Sequence, residues 1–203
     1  MRKAGREELL RFWRALAGEL ELSGEEVERL AEFTLRLLEE GSLTHEEANS
    51  LAGEDLLLLA HRLALVVPSR GPGDRCLEWD ACPLGPGVRL KLNPAAEAVL
   101  RACLEGRDAH EALSSLLAEL GLDSYRARRL ARVALELARE RVVTGSDVAS
   151  ACRPQGLEGF ESQAVAILKA AGAISPLLAT TWPGQDVRYR TCTLLALAQM
   201  LNG

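Results

Sequence analysis

Between Pro68 and Gly87 the chain carries Pro68, Gly71, Pro72, Gly73, Pro83, Gly85, Pro86 and Gly87. Each either fixes φ and removes a donor or frees the backbone to leave helical space, so no helix crosses this stretch. It is read as a Gly/Pro-rich loop or linker. It separates an N-terminal helical region over 1–67 from a C-terminal helical domain over 88–203.

On both sides of that loop the pattern is helical. Leu9, Leu10, Trp13, Leu16 and Leu20 recur at three- and four-residue steps, which predicts a helix over 7–20 with its aromatic pair in the core. Ser23 followed by Glu26 is a capping-box pattern and starts a second helix that runs to Glu40. Gly41 ends it, Thr44 before Glu46 and Glu47 starts a third, and Gly53 breaks that one. The segment 54–67 begins acidic and becomes almost wholly apolar, as a buried helix turning extended at Leu65-Val66-Val67 would. Val88-Arg89-Leu90-Lys91-Leu92 alternates with the period of a half-buried strand. Further helices are expected over 94–104, 108–120, 123–141 and 144–151, and the last three over 161–171, 174–180 and 185–201. The expected fold class is therefore all-α, with orthogonal or repeat-like helix packing and room for one small β-hairpin near residues 65–92. An aromatic content of only 4%, against 48% hydrophobic residues overall, fits helix better than strand.

A net charge of −5 supplies no global field for nucleic acid. The basic N-terminus lacks the apolar core of a signal peptide, and the longest apolar run, 56–60, is far short of the roughly 20 residues a bilayer requires. A cytoplasmic protein without membrane contact is expected. The five cysteines are odd in number and scattered, which favours free thiols over disulfides.

Few constellations carry chemistry. Cys76 and Cys82 flank five residues in the Gly/Pro-rich loop, and two thiolates there could begin a zinc or iron–sulfur site if Cys103, His61 or His110 completed it. No cofactor is otherwise expected. The three histidines make no His-Glu-x-x-His pair, and the phosphate-binding, dinucleotide-binding and nucleophile-elbow glycine motifs are missing. Arg126, Arg128, Arg129 and Arg132, followed by Arg139 and Arg141, concentrate positive charge on one predicted helix and are the candidate nucleic-acid contacts, although Glu136 and Glu140 make an ion-paired solvated face the simpler account.

The order of elements from Glu25 to Leu92 also allows a winged helix in the N-terminal region, with 54–65 in the recognition-helix place. Glu54 and Asp55 would then face phosphates, and the leucines beyond them offer little to base edges. Such a unit suits a protein partner better than DNA.

Two stretches resemble known helical architectures. Residues 164–178, Ala-Val-Ala-Ile-Leu-Lys-Ala-Ala-Gly-Ala-Ile-Ser-Pro-Leu-Leu, resemble an armadillo repeat, with the segment from Asp186-Val187-Arg188 to Ala198 similar to that repeat's third helix. The resemblance implies stacked helices that bind other proteins. Residues 124–152 look like the helical lid of an AAA-type ATPase or a histone-like fold, which implies shape and not ATP hydrolysis. The function expected on these grounds is a non-enzymatic interaction or adaptor module whose partner is another protein or a second copy. The alternatives are a DNA-binding regulator of winged-helix type and a metal- or redox-linked protein using Cys76 and Cys82.

Overall fold

Two capping boxes set the start of the fold. In the computed structural model, which describes residues 2–69, 79, 84–177 and 186–200, the Ser23 and Thr44 hydroxyls accept from the backbone N–H groups of Glu26 and Glu47, and each glutamate accepts from the backbone of its capping residue. These boxes fix the first turns of α2 (Gly24–Glu40) and α3 (His45–Ala52), after α1 (Arg2–Leu20). Between them lies β1 (Leu43–Thr44), and beyond them α4 (Glu54–Arg62), β2 (Val66–Ser69), β3 (Arg89–Leu92) and α5 (Pro94–Leu104). The strands form an antiparallel sheet in the order β1-β3-β2, with Val66 opposite Leu92 and Leu43 opposite Leu90.

The same order then repeats. Helices α6 (Ala109–Glu119) and α7 (Ser124–Leu137) lead into β4 (Val142–Thr144), α8 (Gly145–Cys152), a 3₁₀ turn over Arg153–Gln155, α9 (Glu161–Ala170), β5 (Ile174–Pro176), β6 (Arg188–Thr191) and α10 (Thr193–Met200). The second sheet is again antiparallel with its last strand in the middle, β4-β6-β5. Each half thus runs helix, helix, strand, helix, helix, strand, strand, helix, and its central part has the connectivity of a winged helix.

The repetition is present residue by residue. From Leu20 to Ala52, equivalent positions lie one hundred apart: Leu20 and Leu120, Arg29 and Arg129, Leu30 and Leu130, Leu37 and Leu137, Thr44 and Thr144. Thr144 closes a third capping box with Asp147, where Thr44 uses Glu47. Farther on, the left-handed residue that turns each chain from helix to strand is Ala64 (φ 54°) in the first half and Gly172 (φ 77°) in the second. Leu65 N–H donates to the Ala60 carbonyl and Ala173 N–H to the Leu168 carbonyl, both at 2.9 Å.

The halves meet through reciprocal contacts. Asn93, the N-cap of α5, donates from Nδ2 to the Gly172 carbonyl at 2.9 Å, while Cys192, in the matching place before α10, sets Sγ 3.6 Å from the Ala64 carbonyl. Helices α5 and α10 pack on each other beside these contacts. Exchange of equivalent contacts is the signature of a two-fold interface, here within one chain. One cluster of buried residues runs from Leu9 to Ala198 through both halves. In its N-terminal part the Phe12 and Trp13 rings stand edge to face at 5.2 Å, and the indole N–H of Trp13 donates to the Thr34 hydroxyl.

The mostly helical character expected from composition is present, but the all-α class with at most one hairpin is corrected by two three-stranded sheets. Residues 174–176, expected to be helical, are strand because Gly172 turns the chain into extended backbone and Ile174 and Ser175 are buried against the core. Residues 188–191 likewise alternate, with Tyr189 and Thr191 buried and Arg188 exposed, which is strand periodicity. The Gly/Pro-rich stretch lies between two hydrogen-bonded strands of one sheet, β2 and β3. The halves join between α5 and α6.

Candidate functional site

Helix α4 is held on the protein by its sequence pattern. Leu56, Leu57 and Ala60 are buried, which leaves Glu54, Asp55, Leu58 and Arg62 on the solvent side. Gly53, at φ 81°, serves both the end of α3 and the start of α4, and the guanidinium of Arg29 lies so close that a Cβ there would sit 2.4 Å from Nη2. The second half keeps the device: Arg129 donates from Nη1 to the Gln155 carbonyl at 2.5 Å and packs on Gly156 at φ 66°. An arginine from the preceding long helix thus clamps each helix-to-helix turn. At the far end of α4, His61 donates from Nε2 to the Trp79 carbonyl at 2.9 Å, and the Trp79 side chain is fully buried.

The exposed face of α4 differs from that of its counterpart in the second half. Leu58 is 48% exposed and Leu59 is half-buried beside it. Glu54, Leu58 and Arg62 follow one another at four-residue steps, so they form a line along the helix: an acid, an apolar side chain, a base. Aligned through Ala64 and Gly172, the corresponding line on α9 is Ser162, Ala166 and Ala170, which is neutral and small. The buried positions do correspond, Leu56 with Ala164 and Ala60 with Leu168.

The arginines read from the sequence as one basic face are divided. Arg126 lies over the Phe160 ring at 5.1 Å and pairs with Asp123 at 3.7 Å, and Arg129, besides its clamp, lies over the Tyr125 ring at 4.4 Å. Arg128 and Arg132 are exposed on the other side of α7, where the Arg128 carbonyl accepts from His110 Nε2. Arg132 lines a shallow groove with Arg139, Asp108, His110 and Glu136, so its charge is opposed locally.

Of the cysteines, Cys76 and Cys82 lie outside the described residues. Cys103 is half-buried, and burial raises its thiol pKa. Burial, with the Glu161 carboxylate adding to it, raises Cys152 to about 11, and burial raises Cys192 to about 12. These are protonated structural thiols near neutrality, weak as nucleophiles and as ligands. Among the described residues, no three His, Cys, Asp or Glu side chains converge as a metal site would require. No helix among them is long and apolar enough to cross a membrane.

Sequence reasoning missed the duplication and therefore the comparison between α4 and α9. The recurrence of Leu-x-Leu-Ser/Asp before each long helix, together with the Thr44 and Thr144 caps, was the available signal. No protein-family model, curated protein or solved structure matches the chain. Its two halves are therefore each other's best standard of comparison.

Proposed function

We propose that the protein is a non-enzymatic interaction module in which paired winged-helix units present the α4 face to another polypeptide. The observation that carries this reading is the exposed Leu58 beyond an acidic first turn, on the helix that would have to read DNA in a winged helix bound to a duplex. Glu54 and Asp55 would oppose phosphates there, and leucine offers no hydrogen bond to a base edge. The second half folds with Ser, Gln and Ala at the matching positions, so the acidic and leucine-bearing surface of α4 is not a requirement of the architecture.

One observation favours a DNA-binding second half. Ser162 and Gln163 stand exposed in the first turn of α9, with Arg153 and Arg188 exposed nearby in sequence or sheet, and glutamine can pair with an adenine edge. The two readings separate in one experiment. Immobilised wild-type protein and an L58D variant are compared for the polypeptides they retain, and both are titrated with labelled duplex DNA at low salt. The interaction reading expects polypeptides that wild type holds and L58D releases. Duplex binding equal in both variants, with no polypeptide lost in L58D, would replace it by the DNA reading.

A further inference from the structure

The line Glu54, Leu58, Arg62 is its own complement. Its ends are roughly 12 Å apart at the rise of an α-helix, too far to pair with each other. Among the described residues, neither Glu54 nor Arg62 enters an ion pair. If a second α4 lies across the first in the opposite direction, Leu58 meets Leu58 at the centre, Glu54 meets Arg62 of the other copy, and Arg62 meets its Glu54. Nothing on the helix is left facing a like charge, since Asp55 adds to the acidic end.

We propose that α4 is the docking surface for a second copy of this chain, packed antiparallel about a two-fold axis through Leu58. This deepens the interaction reading above and rests on it. A two-fold contact requires a patch that complements itself, and an acid, apolar, base order along one helix face does so in one orientation only. The duplicated helix α9 supplies the contrast: Ser162, Ala166 and Ala170 have neither charge nor bulk and would not associate. One helix pair buries less than the roughly 1,200 Å² of a durable interface, so the association is weak and concentration-dependent. Exposed end pairs also make it salt-sensitive.

The test is sedimentation velocity of the full chain from roughly 5 to 500 µM, the range that brackets a contact of this size. Wild type is expected to pass from monomer to dimer, with the midpoint moving to higher concentration as salt rises. E54K and R62E should each weaken the dimer by about tenfold or more, because each places like charges together at both ends of the contact. The double variant E54K/R62E should restore it, since reversing both ends recreates the complement. L58D should abolish it. A wild-type chain that stays monomeric throughout, a dimer indifferent to L58D, or a double variant no better than the single ones would each overturn the proposal. A monomeric wild type that still holds another polypeptide through Leu58 would sink the self-association and leave the interaction reading standing.

Discussion

Replacing Gly172 with alanine tests the way the two halves are joined. At φ 77° an alanine costs about 1–2 kcal/mol in backbone strain. Its Cβ would also fall 2.2 Å from Asn93 Oδ1 and 2.9 Å from Cγ, so the Asn93 side chain has to move. That side chain is fully buried; it donates to the Gly172 carbonyl and accepts from Ala95 N–H at 3.0 Å as the cap of α5. Losing the cap costs about 1 kcal/mol, and a displaced buried amide without partners costs about 1–3 kcal/mol more. The expected loss for G172A is therefore about 3–6 kcal/mol. The first half shows how the clash is avoided: alanine is tolerated as Ala64 because Cys192, smaller than asparagine, stands opposite. In an N93C background the same G172A change should then cost only its backbone strain, a coupling of about 2–4 kcal/mol between the sites. Urea unfolding followed by far-UV circular dichroism measures all four corners of the cycle. If G172A costs the same in both backgrounds to within about 0.5 kcal/mol, the claimed contact between Asn93 and Gly172 is wrong.

Two further outcomes follow from protonation. Hydrogen bonds from the Thr44 backbone and hydroxyl hold the Glu47 carboxyl below the usual glutamate range, so the folded state binds that proton less readily than the unfolded chain. Its contribution is present above the unfolded pKa and is lost as pH falls through the folded one, so an E47A variant should be less stable than wild type at neutral pH and converge with it in acid titrations of thermal unfolding. Cys192 has the opposite sign: with its pKa raised to about 12, its contribution is full below the unfolded value of 9.0 and is lost as pH climbs toward 12. Alkylation of the native protein near neutral pH, mapped by mass spectrometry, should spare Cys192 and Cys152 and label Cys103 faster than either. Prompt labelling of Cys192 without unfolding would contradict the packing between the halves.

The helices were legible because their signals are local. Ser23 with Glu26, Thr44 before Glu47, Asn93 before Pro94 and Asp123 before the Arg-rich helix each mark an N-terminus within four residues, and all four cap the helices observed. The second sheet was not legible because its strands are three or four residues long and depend on partners far away. Tyr189 pairs with Val143, some forty-six residues back, and an isolated Arg-Tyr-Arg-Thr gives too little alternation to outweigh the leucine-rich helix that follows. The arrangement of the arginine cluster was not legible for a different reason. Residues 126, 129, 128 and 132 do not share one side of a helix, and tertiary partners such as Phe160 and Gln155 occupy two of them. Leu58 could be seen in the sequence, but not its exposure, because six of the seven residues from Leu56 to Arg62 would pass as core-facing in a helix that has neighbours all round.

Covalent linkage of the two halves has a consequence for how this surface could change. In an assembly of identical chains every substitution is made twice, once in each copy, so a mutation useful on one side must also be harmless on the other. Here α5 and α10 hold together two units of the same connectivity that are encoded separately. A charge gained on α4 leaves α9 untouched, and Asn93 with Gly172 can drift away from Cys192 with Ala64 while both pairs still close the same seam. The architecture keeps a dimer's geometry and releases its two faces to acquire different tasks.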